Sequence, residues 1–243
     1  MKKIKLALLS LITLMLSSGL QAQQEKSLWL DVRAGINTSL ILNQNAYGNG
    51  ELDYITTLGF TAGPGASYFL TDLWGINASF TWAKIGQNYS GMQNSGDATR
   101  KVKLNYIEVP LLAMRKIHGT KQPTWVAFGP EFMFLSSAKQ DYHRDNDLSP
   151  LPNPIDLKEG ITDVKKYYKP VDVALNLSLN KMYDLYENSK LRLLITANMA
   201  IGLTDINSKQ YQIPNMHDKY AGSHNFYIGI KAGLMYRAFV KEE

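Results

Sequence analysis

Apolar and polar residues alternate one by one over repeated stretches of the chain, and each stretch ends in a polar break. A period of two indicates a β-strand, because successive side chains of a strand point to opposite faces. The pattern is clearest over 191–203, where odd positions are apolar and Leu194 is the one apolar residue on the other face. It recurs over 226–240 with the even positions apolar. Six more strands are predicted near 27–37, 56–70, 73–85, 102–113, 123–135 and 169–180.

The lengths of these strands and of the connections between them indicate a membrane barrel. A strand that crosses a bilayer needs ~9–11 residues, whereas an ordinary soluble strand has ~5–6. Short connections are predicted near 71–72, 114–122 and 181–190, and long ones near 38–55, 86–101, 136–168 and 205–225. The sequence therefore predicts an all-β fold, an eight-stranded antiparallel up-and-down transmembrane β-barrel with short periplasmic turns and long extracellular loops.

The first residues are typical of an export signal. Lys2, Lys3 and Lys5 precede an apolar stretch over 6–16, and small and polar residues follow up to Ala22. We predict a signal peptide over 1–22, an outer-membrane β-barrel domain over 23–243, and location in the cell outer membrane. The alternative is an uncleaved anchor.

A soluble barrel of the lipocalin type would show the same alternation with inside and outside exchanged. Two features favour the membrane. Aromatic residues stand near strand ends, as interfacial girdles require: Tyr68, Trp74, Trp82, Phe134 and Tyr236. The opposite face carries charges of both signs, and we expect these residues to point inward.

The charged inward positions form a balanced set of four acids and four bases. Isolated buried charges are costly, so we expect them to pair in a salt-bridge network that fills the narrow interior. The predicted interior charge network comprises Asp31, Arg33, Glu108, Glu131, Asp172, Arg192, Lys231 and Arg237. Ion or proton conduction is the alternative role for these residues.

Composition excludes several functions. The chain has no cysteine, which excludes a disulfide framework and a thiol nucleophile. The chain has 26 basic and 21 acidic residues, and without the three signal lysines 23 basic residues remain, only slightly more than the acidic ones. No basic cluster remains, so nucleic-acid binding is not expected.

Candidate chemistry is sparse. His224 beside Ser223, or His143 with Asp141 and Asp145, could form the site of a small enzyme that acts on lipid acyl chains. The acids of the third long loop could suggest calcium, but the glycine and the terminal glutamate of an EF-hand loop are missing. We therefore predict no catalytic, cofactor-binding or metal-binding residues, and no cofactor. His118 and His217 complete the histidines.

Tyrosines in the long loops are the best candidates for contacts with a partner, because tyrosine among Asn, Gly and Ser forms adaptable binding surfaces. The alternative is that they coat the membrane interface. The candidate loop contacts are Tyr47, Tyr89, Tyr142, Tyr211 and Tyr220.

Three segments carry a family resemblance. They are Val32-Arg33-Ala34-Gly35-Ile36-Asn37, the central Tyr106-Ile107-Glu108-Val109-Pro110-Leu111-Leu112, and Phe128-Gly129-Pro130. With the closing 227–234 stretch, the chain resembles the PorT-like outer-membrane β-barrel family. The resemblance implies an eight-stranded outer-membrane barrel, no shared catalytic residues, and for some members a part in protein secretion machinery.

The leading hypothesis is a non-enzymatic outer-membrane barrel that presents loops for binding or is a subunit of an assembly such as a secretion apparatus. Its expected partners are outer-membrane lipid and other outer-membrane or secretion proteins. The alternatives are a small outer-membrane enzyme acting on lipid acyl chains and a narrow porin.

Overall fold

The computed structural model describes residues 26–43, 52–93, 96–117, 122–145, 159–186, 190–212 and 220–241. The predicted signal peptide and three residues named above, Tyr47, His118 and His217, lie outside these ranges. In the part of the chain that the structure describes, no helix is long and apolar enough to cross a membrane.

Eleven strands and two 3-10 helices make up the described chain. The strands are β1 (Lys26–Leu42), β2 (Asp53–Ile55), β3 (Thr57–Phe69), β4 (Trp74–Ser79), β5 (Thr81–Gln93), β6 (Gly96–Lys116), β7 (Thr124–Arg144), β8 (Gly160–Asp163), β9 (Val171–Asp184), β10 (Leu191–Gly202) and β11 (His224–Lys241). The 3-10 helices span Lys165–Tyr167 and Lys209–Tyr211.

The strands close into a barrel of eight staves, where a stave is one strand or two strands that follow each other along the same line of the wall. β1 pairs antiparallel with both β3 and β11, so the first and last strands join. β4 and β5 follow each other along one stave and both pair with β3 and β6. β2 continues into β3, and β8 precedes β9 beside β7. The predicted eight-stranded antiparallel barrel is confirmed, with three staves each interrupted once.

The two faces of the wall alternate as predicted. In β6 the even-numbered residues are buried in the lumen and the odd-numbered ones face outward over the whole strand. Large apolar side chains are exposed around the outside of the wall and form the lipid-facing belt, including Val32, Ile36, Ile76, Phe128, Leu177, Met199, Ile230 and Leu234.

The connections are short at one end, at 70–73, 117–123 and 185–190, as predicted. The prediction of a long loop over 86–101 is wrong, because β5 runs to Gln93 and β6 begins at Gly96. Beyond the aromatic girdle the alternation inverts: Ile85 and Leu104 are buried in the lumen, while Lys84 and Lys103 face outward. The strands there have left the lipid, so their outer face is polar. β7 likewise continues to Arg144.

Candidate functional site

The lumen is filled in layers, and the layer at the short-turn, periplasmic end is apolar. Nine buried side chains form this floor: Trp29, Phe69, Leu112, Met114, Trp125, Ala127, Met182, Leu194 and Met235. Leu194, the exception to the predicted polar face, belongs to this cluster. The expectation of a polar interior therefore holds only above the floor.

Above the floor, Asp31 and Arg33 form a buried ion pair. They stand two residues apart on β1 and so share its inner face. Arg33 Nε lies 2.6 Å from Asp31 Oδ1, and Arg33 Nη2 donates to Asp31 Oδ2 at 2.9 Å. Gly65 faces this pair on β3, and a Cβ there would lie 2.7 Å from Arg33 Nη2. The missing side chain leaves the room that the guanidinium fills.

Two glutamates and one lysine occupy the middle of the lumen. Glu131 accepts hydrogen bonds from the Tyr227 hydroxyl at 2.6 Å and from Asn176 Nδ2 at 2.5 Å. Glu108 accepts one from Thr81 Oγ1 at 3.3 Å. Within the described residues, Lys231 makes no direct ion pair with either carboxylate. Glu131 is thus held by neutral donors.

The remaining predicted interior charges have other partners. Asp172 accepts hydrogen bonds from Thr204 Oγ1 at 2.5 Å and Asn225 Nδ2 at 2.9 Å. Arg192 and Arg237 lie at the periplasmic mouth, 4.3 and 5.7 Å from the centroid of the Trp29 ring.

Arg192 also pairs with Asp184, with Nε 2.5 Å from Oδ1. The two arginines help to line a cavity of about 480 Å³ at this end of the barrel. Among the ion pairs of the described residues, the pair of Asp31 and Arg33 is the one that joins two of the eight predicted residues to each other. The prediction of a single connected salt-bridge network is corrected accordingly, because uncharged Asn, Thr and Tyr side chains provide most of the partners.

The extracellular end of the lumen is closed by a second apolar layer and a buried arginine. Arg100 is 1% exposed; its Nε donates to Gln140 Oε1 at 2.7 Å and its Nη2 to the Tyr211 hydroxyl at 2.5 Å. The guanidinium lies 5.2 Å from the ring centroid of Tyr89. Tyr211 in turn packs against Tyr167 and Tyr168, with ring centroids 5.4 and 5.3 Å apart.

This cluster corrects three of the predicted contact residues. Tyr89, Tyr142 and Tyr211 are buried in the upper lumen and are not available to a partner. Tyr220 is half-buried. Sequence reasoning missed Arg100 because it lay in a segment read as a loop. Its signal is the unbroken even-numbered series Ala98, Arg100, Val102, Leu104, Tyr106 and Glu108, all of which face inward.

Alternate residues of the segment from Tyr106 to Leu112 face the lumen. Tyr106 and Glu108 point inward, and the Tyr106 hydroxyl accepts a hydrogen bond from Asn225 Nδ2 at 3.3 Å. Tyr106 and Glu108 therefore bond to Asn225 on β11 and Thr81 on β5, inside the lumen.

Asp205 organises the connection after β10. Its carboxylate accepts hydrogen bonds from the Tyr220 hydroxyl at 2.8 Å and from the backbone N–H groups of Asn207 and Ser223 at 3.1 and 3.0 Å. Burial raises the pKa of Asp205, but these hydrogen bonds and nearby Lys169 outweigh it and lower the pKa below its usual value. Burial and the bond to Asp205 raise the pKa of Tyr220 to about 12.

The candidate catalytic histidines have other partners. His143 lies between two acids, with Nδ1 2.8 Å from Glu159 Oε1 and Nε2 2.9 Å from Asp141 Oδ1. The hydrogen bond to Glu159 raises the pKa of His143 above its usual value. Ser223 Oγ donates to the Asn43 carbonyl at 3.3 Å, not to a nitrogen of His224. Among the described residues, no group of three or more His, Cys, Asp or Glu side chains is placed to hold a metal ion.

The chain has distant likenesses among solved structures. No curated protein matches the chain. Among solved structures it is similar to Neisserial surface protein A, at 11% identity and a TM-score of 0.44, with 88% of this chain and 99% of that chain covered. It is also similar to OprG from Pseudomonas aeruginosa, at 12% identity and a TM-score of 0.40, with 89% of this chain and 99% of that chain covered. A third similar structure is Ail of Yersinia pestis in complex with the heparin analogue sucrose octasulfate, at 9% identity and a TM-score of 0.39, with 86% of this chain and 99% of that chain covered.

A family model matches most of the chain. The model of the outer membrane protein beta-barrel domain family matches residues 21–241 and so covers every stave of the barrel. This chain therefore belongs to the outer membrane protein beta-barrel domain family.

Proposed function

We propose that this protein is a non-enzymatic barrel whose extracellular end binds a partner protein. The observation that carries the proposal is an open sheet that rises past the lipid-facing belt. It consists of β2, the distal halves of β5, β6 and β7, and β8, in that order. Among the described strands, β2 and β8 each pair on one side only.

The distal sheet has the surface of a binding platform. Met92 on β5 and Ile161 on β8 are each 68% exposed on the outer face of this sheet. Tyr54 on β2 is 52% exposed on the lumen side, where it packs on its register partner Tyr89. Large exposed apolar side chains on strands with free edges suit contact with another protein, including the addition of a strand at the edge. The buried contacts of Arg100 with Gln140, Tyr211 and Tyr89 fix the strands below this sheet. Strands that are already fixed lose less conformational entropy when a partner binds.

The filled lumen favours a role as a binding scaffold and argues against a role as a pore. Apolar layers lie near both ends of the lumen, with buried polar residues between them. A narrow porin is the alternative, and planar-bilayer recording tests it. Stable channels of porin-like conductance would contradict the proposal.

The finer proposal is that the partner belongs to an outer-membrane assembly such as a protein secretion apparatus. Its support is the resemblance of the motif from Tyr106 to Leu112 to PorT-like proteins. Purification from outer membranes in mild detergent, followed by native mass measurement, tests it. Stoichiometric partners support an assembly subunit, whereas recovery only at monomer mass contradicts one.

Site-specific photo-crosslinking in intact outer membranes tests the binding surface itself. A photoreactive residue at Met92 or Tyr54 is expected to give a discrete protein adduct. The matched control is Met199, which is also exposed but faces lipid. Adducts at Met199 alone, or at none of the three positions, would contradict the proposal.

The enzymatic alternative is an acyl-chain hydrolase or transferase. Both ring nitrogens of His143 are engaged by carboxylates, which leaves neither to activate a nucleophile. Substituting His143 and His224 and analysing the membrane lipids tests this alternative. An altered acylation pattern would favour the enzyme.

A further inference from the structure

Two lysines face each other directly on the outside of the barrel. Lys103 on β6 and Lys139 on β7 are partners in the antiparallel register, and both side chains point outward. Like charges directly opposite each other on one face of a sheet are destabilising. Within the described residues neither lysine takes part in a direct ion pair. A negatively charged group between them would remove this repulsion.

The position of this pair relative to the membrane identifies the kind of anion. Ile107 and Phe134 are register partners on the outer face at the rim of the lipid-facing belt. Lys103 and Lys139 lie four and five residues further along their strands. At ~3.4 Å per residue and a tilt of ~40°, the lysine backbones stand roughly 10 Å above that rim. Flexible lysine side chains reach down from there into the headgroup layer.

Charges on this wall are separated by height. Nearest the membrane, Lys84 and Lys165 join Lys103 and Lys139, and Asp163 is the one acid among the described residues at this level. Asp163 is the register partner of Lys139 on its other side, whereas the other register partner of Lys103 is Gly86. Asp163 already accepts a hydrogen bond from the backbone N–H of Lys165.

One level further out the charges balance. Lys101 lies opposite Asp141 in the register, and His143 lies between Asp141 and Glu159. Among the described residues at the extracellular end of this wall, positive charge is therefore in excess at headgroup height and not above it.

The excess is confined to one side of the barrel. At the extracellular ends of β1, β10 and β11, the outward positions are Leu40, Leu203 and Phe226. A general attraction to a negatively charged membrane would not require lysines to be grouped on three neighbouring strands.

We propose that Lys103, Lys139 and Lys84 bind a phosphate group of an outer-leaflet glycolipid of the lipopolysaccharide type. The acyl chains of this lipid would lie against the apolar wall below, beside Trp82, Ile107 and Phe134, which face outward on the same strands. The ligand is thus a phosphorylated lipid with its anionic head at the lysines and its apolar tails on the belt. This site is separate from the distal surface around Tyr54 and Met92.

Binding of purified lipid A to the full chain in detergent tests the proposal, with native mass spectrometry as the readout. We expect the phosphorylated lipid to bind and the same lipid treated with phosphatase to bind at least about tenfold more weakly. K103A/K139A is expected to lose binding to a similar extent. K103R/K139R keeps the charges and is expected to retain binding. Equal affinity for the two lipids would overturn the proposal.

A matched control and a second measurement keep the test independent of folding defects. K101A removes a lysine from the same strand and face, but one that lies opposite an acid, and is expected to bind normally. K103Q is expected to raise the melting temperature without lipid, because it removes the repulsion and Lys103 has no acid opposite it, and to lower the melting temperature relative to the wild type when lipid A is present. A change of the same sign in both conditions, or equal loss of binding in K101A, would overturn the proposal.

Discussion

The guanidinium of Arg100 donates a hydrogen bond to the Tyr211 hydroxyl at 2.5 Å and thereby joins β6 to the connection that follows β10, 111 residues further along the chain. Gln140 on β7 accepts a second bond from the same side chain. One buried residue therefore links two neighbouring strands to the distant segment that covers the lumen.

Removing this link is expected to destabilise the extracellular end. Arg100→Leu leaves Gln140 and Tyr211 without their buried partner, and we expect a loss of about 2–3 kcal/mol in the free energy of unfolding. Tyr211→Phe removes one bond and is expected to cost about 1–2 kcal/mol. Urea titration in detergent micelles measures both. Lys101→Ala, on the outer face of the same strand, is the control, and an equal loss there would contradict the prediction.

The apolar floor predicts a large effect at Leu194. Leu194→Ala opens a cavity among Trp29, Trp125 and the other floor residues, and we expect a loss of about 2–5 kcal/mol in the free energy of unfolding. Met199→Ala shortens a lipid-facing side chain on the same strand and serves as the control. A loss at Leu194 no greater than that at Met199 would show that the floor is not close-packed.

Asp205 predicts an acid-sensitive connection between β10 and β11. Its folded-state pKa is lowered, so its contribution to stability is present above the unfolded pKa of about 3.9 and is lost as pH falls through the folded pKa. Hydrogen exchange over 203–212 and 220–223 is expected to accelerate in this acidic range.

At neutral pH, Asp205→Asn is expected to reproduce part of that acceleration. Its side chain cannot serve the hydroxyl and both backbone N–H donors as a carboxylate does. Exchange rates equal to those of the wild type would contradict this role. Exchange in the lower barrel, for example around Leu194, is the internal reference.

His143 predicts the opposite pH dependence at the edge of the distal sheet. Its folded-state pKa is raised, so its contribution is fully present below the unfolded pKa of about 6.5 and is lost as pH rises through the folded pKa. An NMR titration of the imidazole measures the pKa directly. Glu159→Gln removes the largest cause and is expected to lower it. An unchanged pKa in that variant would contradict the assignment.

Local alternation along the chain is enough to predict the strands of this protein and the direction of each strand's two faces. Strict alternation over segments such as 191–203 requires strands, and eight such segments with short turns at one end specify the barrel order. The outward direction of Ile76, Trp82 and Phe128 also follows from alternation, because a residue two positions away along a strand always shares its face.

The ends of the strands and the filling of the lumen depend instead on contacts between distant parts of the chain. Alternation says that two faces differ, but not whether lipid, water or packed side chains lie beyond each one. Past the girdle the outer face of β5 and β6 meets water, so apolar residues turn inward and a continuing strand resembles a loop. Leu194 and Tyr211 are buried by residues from distant parts of the chain, and a local sequence pattern cannot predict those contacts.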